Sequence, residues 1–144
     1  MKNARHLLVE KQLHETISIS PQATVYQALQ LMAEKNIGAV LVMEGDKLVG
    51  IFSERDYARK VVLMGKTSAG TAVADIMTRR LVCVPPTMLV DECLALMTEK
   101  RIRHLPVLDD DSVLGVLSIG DLVREKIADQ EYTIEQLSHY IHGR

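Results

Sequence analysis

Two pairs of oxygen-bearing side chains stand out by their spacing. Ser53 and Asp56 close the stretch GIFSERD at 50–56, and Ser118 and Asp121 close GVLSIGD at 115–121. Each pair follows a glycine and two apolar residues, where a strand should hand over to a helix. Two chemistries fit that position. In a capping box, hydroxyl and carboxylate satisfy the first free N–H groups of a helix, which stabilises it by about 1 kcal/mol. A carboxylate beside a helix N-terminus can instead accept hydrogen bonds from the vicinal hydroxyls of a ribose, each contributing about 1.5–3 kcal/mol because the acceptor is charged. A serine hydroxyl can cap and touch a ligand at once, so both readings stand.

Other constellations carry less. GKTS at 65–68 looks like the end of a phosphate-binding P-loop, yet the first glycine of that motif would fall on Lys60. No strand leads into it, and the small polar run GKTSAGTA reads as a linker. His139 and His142 lack further ligands at metal spacing, which suits a surface or interface better than a metal site. No nucleophile elbow, HExxH or acid–base pair is evident. Cys83 and Cys93 form no CxxC motif, and two buried thiols in a reducing compartment are expected.

Composition narrows the classes further. The chain has 144 residues, 47% of them hydrophobic, with 17 basic against 19 acidic side chains scattered along it. That balance argues against nucleic-acid binding by phosphate neutralisation, and the absence of Trp with a single Phe argues against a stacking platform. The longest apolar run, IGAVLVM at 37–43, is too short to span a bilayer. The opening MKNARHLLVEKQLHE has no apolar stretch of the signal-peptide kind, so a cytoplasmic protein is expected, with no membrane partner.

The elements that must position the two Ser–Asp pairs are themselves written twice. Offsetting the chain so that Ser53 meets Ser118 also aligns Pro21 with Pro86, Met32 with Met97, Ile37 with Ile102, Gly50 with Gly115 and Arg59 with Arg124. Each copy begins with a short alternating strand, TISIS at 16–20 or LVCV at 81–84, stopped by proline. A helix follows with apolar residues at i, i+3, i+4 and i+7: Val25, Ala28, Leu29 and Met32, or Val90, Cys93, Leu94 and Met97. A hairpin turning at EGDK or DDDS comes next, and a second helix starts at the motif serine. The order is therefore β-α-β-β-α in each copy. Units this small bury little alone, so two copies packed sheet against sheet about a pseudo-twofold axis should close one core. Short leaders, ARHLLV and VADIMT, precede the copies. A tail at 133–144 reads as a separate helix, with Thr133 and Gln136 as its capping box and Ile134, Leu137 and Ile141 as its stripe.

The duplication, with VADIMT, VCVPPTMLVDECLALM, RIRHLPVLD and LGVLSIGDL mirrored by NIGAVLV and LVGIFSERDY, resembles the CBS domain, here as a tandem pair or Bateman module. The resemblance implies an α/β (α+β) fold of two CBS repeats, at 7–66 and 77–132, with the C-terminal helical tail. It implies two clefts between the repeats that hold adenosyl compounds such as AMP, ADP, ATP, NAD or S-adenosylmethionine, with AMP, ATP or NAD favoured. It places the ribose on Ser53 and Asp56 and on Ser118 and Asp121, with the strand openings Thr16, Ile17 and Val82 bordering the clefts. CBS pairs commonly regulate an attached enzyme or transporter. This chain has no room for one, which implies a stand-alone regulatory module, a homodimer, and a regulated partner that the sequence does not name.

Within that frame the strands after each first helix suit adenine. Ile37, Gly38 and Ala39, and Ile102, Arg103, His104, Leu105 and Pro106, enter interior strands where aliphatic side chains can sandwich a base and the main chain can read its edge. Phosphates need cations, and Arg55, Arg101, Arg103 and His104 are nearest in sequence, although exposed basic side chains are ordinarily just solvated. The copies differ at Arg55 against Gly120, Gly38 against Arg103, Ala39 against His104 and Leu41 against Pro106, so unequal clefts are expected. Three functions are open: a nucleotide-sensing module, a structural dimerisation protein with degenerate sites, and a small nucleotide-acting enzyme, the last disfavoured because no catalytic constellation is seen.

Overall fold

A computed structural model describes residues 1–11 and 17–141. The first half runs α1 (Ala4–Glu10), β1 (Ser18–Ile19), α2 (Val25–Lys35), β2 (Ala39–Glu44) and β3 (Lys47–Ser53). A short α3 (Glu54–Asp56) passes directly into a wider π-helical stretch at Tyr57–Val62. The second half runs α4 (Val73–Ile76), α5 (Val90–Lys100), β4 (His104–Asp109), β5 (Ser112–Ser118) and the long α6 (Ile119–Ile141). β1 lies parallel to β2, which pairs antiparallel with β3, and β4 pairs antiparallel with β5. The chain thus has the two-repeat mixed α/β architecture read from the duplication.

Local chemistry explains the elements. Thr24 and Gln27 form a reciprocal capping box at the start of α2, and the Leu89 N–H donates to Glu92 at the start of α5. Both helices end on a left-handed residue, Asn36 at φ 54° and Arg101 at φ 55°. The hairpins turn at Gly45, φ 63°, and Asp110, φ 54°, residue types that tolerate this region. The expected strand LVCV shrinks to one parallel bridge, Val84 with Val107. Pro85 and Pro86 follow at once and supply no N–H to extend the ladder.

Each leader packs on the repeat it does not precede directly. Ala4 N–H donates to the Met88 carbonyl at 2.9 Å and Val90 N–H to the Lys2 carbonyl at 3.2 Å, tying α1 to the second repeat. Val73 N–H donates to the Ala23 carbonyl at 2.8 Å and Val25 N–H to the Thr71 carbonyl at 2.9 Å, tying the linker and α4 to the first. These bonds satisfy helix-start donors that would otherwise be orphaned. The exchange also accounts for the duplicated glycine. A Cβ on Gly50 would stand 2.6 Å from Met77 Sδ, and one on Gly115 would stand 2.9 Å from Leu8 Cδ2.

Two buried cores result, rather than the single shared one expected. Val25, Met32, Val42 and Phe52 close the first with Val73, Ile76 and Met77. Val90, Met97, Leu105, Leu117 and Leu122 close the second with Ala4 and Leu7. The borrowed leader supplies the apolar layer that each repeat lacks. Ala39 and Leu41, on the opposite face of β2, are buried toward Leu114 and Val116 of β5, and there the two halves meet.

Two further expectations are corrected. The tail is no separate helix: α6 runs unbroken through Thr133, whose hydroxyl donates to the Asp129 carbonyl at 3.0 Å instead of capping. Every described residue from Ile127 to Ile141 is exposed. Cys93 is buried in the second core, but Cys83 is exposed.

Candidate functional site

Two clefts open where the halves meet. The larger, about 480 Å³, joins Ser53, Arg55 and Asp56 of the first repeat to Val82, Ile102, Arg103, His104 and Pro106 of the second. The smaller, about 300 Å³, joins Ser118 and Asp121 of the second to Ile17, Ile37, Gly38 and Ala39 of the first. Each Ser–Asp pair therefore faces the strand openings of the other repeat. Gly38, His104 and Ser118 border both clefts. Thr16 and His142 lie outside the described residues.

The Ser–Asp pairs sit where β3 and β5 pass into helix, and both are capping boxes. Ser53 N–H donates to Asp56 Oδ2 at 3.0 Å while Asp56 N–H donates to Ser53 Oγ at 3.2 Å. Ser118 and Asp121 repeat this at 2.8 Å and 3.2 Å. The next N–H groups are also used: Glu54 donates to the Gly38 carbonyl at 3.1 Å and Ile119 to the Arg103 carbonyl at 2.8 Å. Little is left at either helix start for an anion, so charged ligand groups would have to be met by side chains.

Both carboxylates also meet groups that sequence reasoning missed. Asp56 Oδ1 accepts from Thr78 Oγ1 at 3.0 Å and pairs with Lys60 Nζ at 3.0 Å. Asp121 pairs with Lys11 Nζ at 2.9 Å and with Arg124 Nη2 at 2.7 Å. Lys60 and Arg124 could have been found, since they follow their aspartates by about one helical turn. Lys11 and Thr78 arrive on the exchanged leaders, and no local pattern announces them.

Electrostatics differ between the groups. Burial pushes the Asp121 carboxyl up, but the Ser118 N–H and the Lys11 ammonium together outweigh it and hold the carboxyl below its ordinary value. Burial, helped by Lys11, lowers His104, so its imidazole is neutral at pH 7. His104 borders both clefts, where its imidazole can hydrogen-bond a ligand phosphate. Among the described residues no three His, Cys, Asp or Glu side chains gather as metal ligands, and no helix is long and apolar enough to cross a membrane.

Comparison with known proteins gives this geometry a context. The CBS-domain family model matches residues 6–63 and 73–128. The chain is 42% identical over 125 residues to the mitochondrial CBS domain-containing protein CBSX3 of Arabidopsis thaliana, a match covering 83% of this chain and 61% of that protein. It thus spans about three fifths of that relative. A proposed signal-transduction protein with CBS domains from Burkholderia ambifaria superimposes with a TM-score of 0.85 at 48% identity, covering 90% of this chain and 96% of that one. The CBS pair of MJ0100, solved with 5′-methylthioadenosine and S-adenosyl-L-methionine, shares the fold at a TM-score of 0.79, 24% identity, and 90% and 98% coverage.

Proposed function

The chain belongs to the CBS-domain family as a tandem pair, and from that premise we propose that it is a regulatory module that senses an adenosyl compound. AMP, ADP, ATP, NAD and S-adenosylmethionine are the candidates. The observation that carries this reading is the construction of each cleft from both repeats. A ligand that touches Ser53 or Asp56 and also Val82, Ile102 or Pro106 bridges the halves, and so stabilises one relative arrangement of them over others. The same holds for Ser118 and Asp121 with Ile17, Ile37 and Ala39. Adenine is sandwiched by aliphatic side chains, and its edge is read by the main chain near residues 38 and 103. The ribose diol takes Asp56 or Asp121 while the cap is kept, by displacing the lysine that shares the carboxylate. Lys60, 44% exposed, gives way more readily than Lys11, 22% exposed.

We place the module in the cytoplasm as a homodimer that acts on a regulated protein partner and has no catalytic role of its own. Val123, Ile127, Ile134, Leu137 and Ile141 leave an exposed apolar stripe along α6 that a second copy can cover. The competing reading, a structural dimerisation protein, draws support from the saturated carboxylates. A thermal-shift panel of the five ligands decides between them. Stabilisation by at least one, reduced in Asp56→Asn or Asp121→Asn while the unliganded variant stays folded, favours sensing. No shift with any of the five leaves the structural reading.

A further inference from the structure

Charge is distributed very unequally about the pseudo-twofold axis. The Asp56 cleft opens outward into a groove of about 540 Å³ that shares Glu54, Arg55, Arg59, Ile102, Arg103 and Ile119 with it and adds Arg101. Glu54 is the one carboxylate among the described residues lining this groove. Lys60 and Arg80 stand in the cleft itself. None of Arg55, Arg59, Arg101 and Arg103 forms a salt bridge among the described residues, and all four are exposed. Arg55 Nη1 donates to the Arg101 carbonyl at 3.1 Å, which holds one guanidinium over the groove. The matching positions of the other repeat carry no such charge: Gly120 answers Arg55, Asn36 answers Arg101, Gly38 answers Arg103 and Glu125 answers Lys60. Only Arg59 has a basic counterpart, Arg124, and that one is held by Asp121. A separate groove beside the Asp121 cleft, against α1, holds Glu10 and Glu125 with Lys11 and Arg124, and Lys2 pairs with both glutamates.

We infer that the Asp56 cleft takes an adenosine compound with two or more linked phosphates at its 5′ end, and that the arginine groove receives the phosphate chain. The inference rests on the proposed adenosyl-binding role of the cleft. Like charges gathered without carboxylate partners repel, and a polyanion lying among them relieves the repulsion. Guanidinium forks match phosphate oxygens in pairs, and a chain of phosphates can engage several forks where a single phosphate reaches fewer. The Asp121 cleft has Gly120, Asn36 and Gly38 where the Asp56 cleft has Arg55, Arg101 and Arg103, which assigns the polyphosphate to one side of the axis. The required chemistry is an adenosine 5′-pyrophosphate, met equally by a nucleoside diphosphate or triphosphate and by a dinucleotide.

Calorimetric titration of the intact protein with AMP, ADP, ATP and NAD tests the inference, at low salt and again at high salt. One binding event is expected to favour ADP, ATP or NAD over AMP by about tenfold or more, and to weaken as salt rises. ADP against NAD separates the free polyphosphate from the dinucleotide. Arg55→Gln/Arg103→Gln should erase the preference and leave AMP binding at the other cleft unchanged. Arg59→Gln/Arg103→Gln, which spares the Arg55 contact to the Arg101 carbonyl, provides the same test should the first variant melt earlier without ligand. Equal affinity for AMP and ADP at the site sensitive to Asp56→Asn overturns the polyphosphate assignment and leaves adenosyl sensing intact. A preference that survives both double variants does the same. Binding of none of the four overturns the inference, and failure of S-adenosylmethionine as well overturns adenosyl sensing with it. A single-stranded oligonucleotide that binds the groove and is lost in the double variants, with no ADP preference, overturns the inference in favour of nucleic acid.

Discussion

The Asp56 cleft and the Asp121 cleft use one backbone plan for two electrostatic purposes. Both place a serine-capped aspartate against the strand openings of the opposite repeat, with cap distances that agree within a few tenths of an ångström. Around Asp56 the carboxylate meets a hydroxyl, Thr78, and a half-exposed lysine, and the rim is rich in arginine that forms no salt bridge among the described residues. Around Asp121 it meets a more buried lysine and an arginine from its own helix, and Gly120, Asn36 and Gly38 stand where the other rim has arginine. Duplication therefore preserved the part that shapes the helix start, where any change costs a cap. It left free the exposed positions around it, where substitution costs little stability and resets the local charge.

The sharpest way to break the comparison is to damage one core through its borrowed leader. Leu7 is 4% exposed and sits in the second core although it lies on the leader ahead of β1. Leu7→Ala should cost about 2–5 kcal/mol in chemical denaturation. Its effect on ligand binding should fall on the Asp121 cleft, whose Lys11 the same leader carries. Loss confined to the Asp56 cleft would contradict the exchange.

Next in size are the carboxylates themselves. Asp121→Asn removes the acceptor of two cations and should destabilise the unliganded protein by about 1–3 kcal/mol. Asp56→Asn should cost less, because Thr78 remains as a neutral partner and Lys60 is already half in water. Denaturation midpoints in the reverse order would show that the two sites do not differ as their geometry says.

The smallest expected effect lies in pH. His104 has a folded-state value below its ordinary 6.5, so the native protein binds fewer protons than the unfolded chain. Its contribution is present above about 6.5 and is lost as pH falls through the lower folded value. Asp121 is also depressed, so its contribution is lost only in a more acid window beginning near 3.8. His104 is faced by Lys11 and Arg103, which disfavour its charge, and by Asp121 and Asp56, which favour it. Thermal melts from pH 7 to 5 should fall for the wild type and flatten in His104→Gln, and parallel slopes would remove His104 from the account.

Much of this was legible along the chain because the signals are local. The i, i+3, i+4, i+7 stripes of α2 and α5 bury Val25, Ala28 and Met32 and then Val90, Cys93 and Met97 as their spacing predicts. The hairpin turns at EGDK and DDDS and both capping boxes are also local patterns, and they form where they are written. Failures came where a nonlocal partner or a competing bond decided. LVCV has strand periodicity but runs into two prolines, and Thr133 finds an acceptor one turn back inside a helix that had no reason to stop. Cys83 stands outside the core because its neighbours Val82 and Val84 take the inward face and side chains alternate along an extended segment.

Duplication, element order, the Ser–Asp caps and the chemical inequality of the two copies are properties of the sequence alone, since each depends on residues within a few positions of one another or on a fixed offset. Which leader completes which core, which strand opening faces which aspartate, and where Lys11, Thr78 and the four arginines converge were settled only in three dimensions. The reason is physical. A repeat this small lacks an apolar layer of its own, and it buries its open face with a segment whose position in the chain carries no mark of where it will dock.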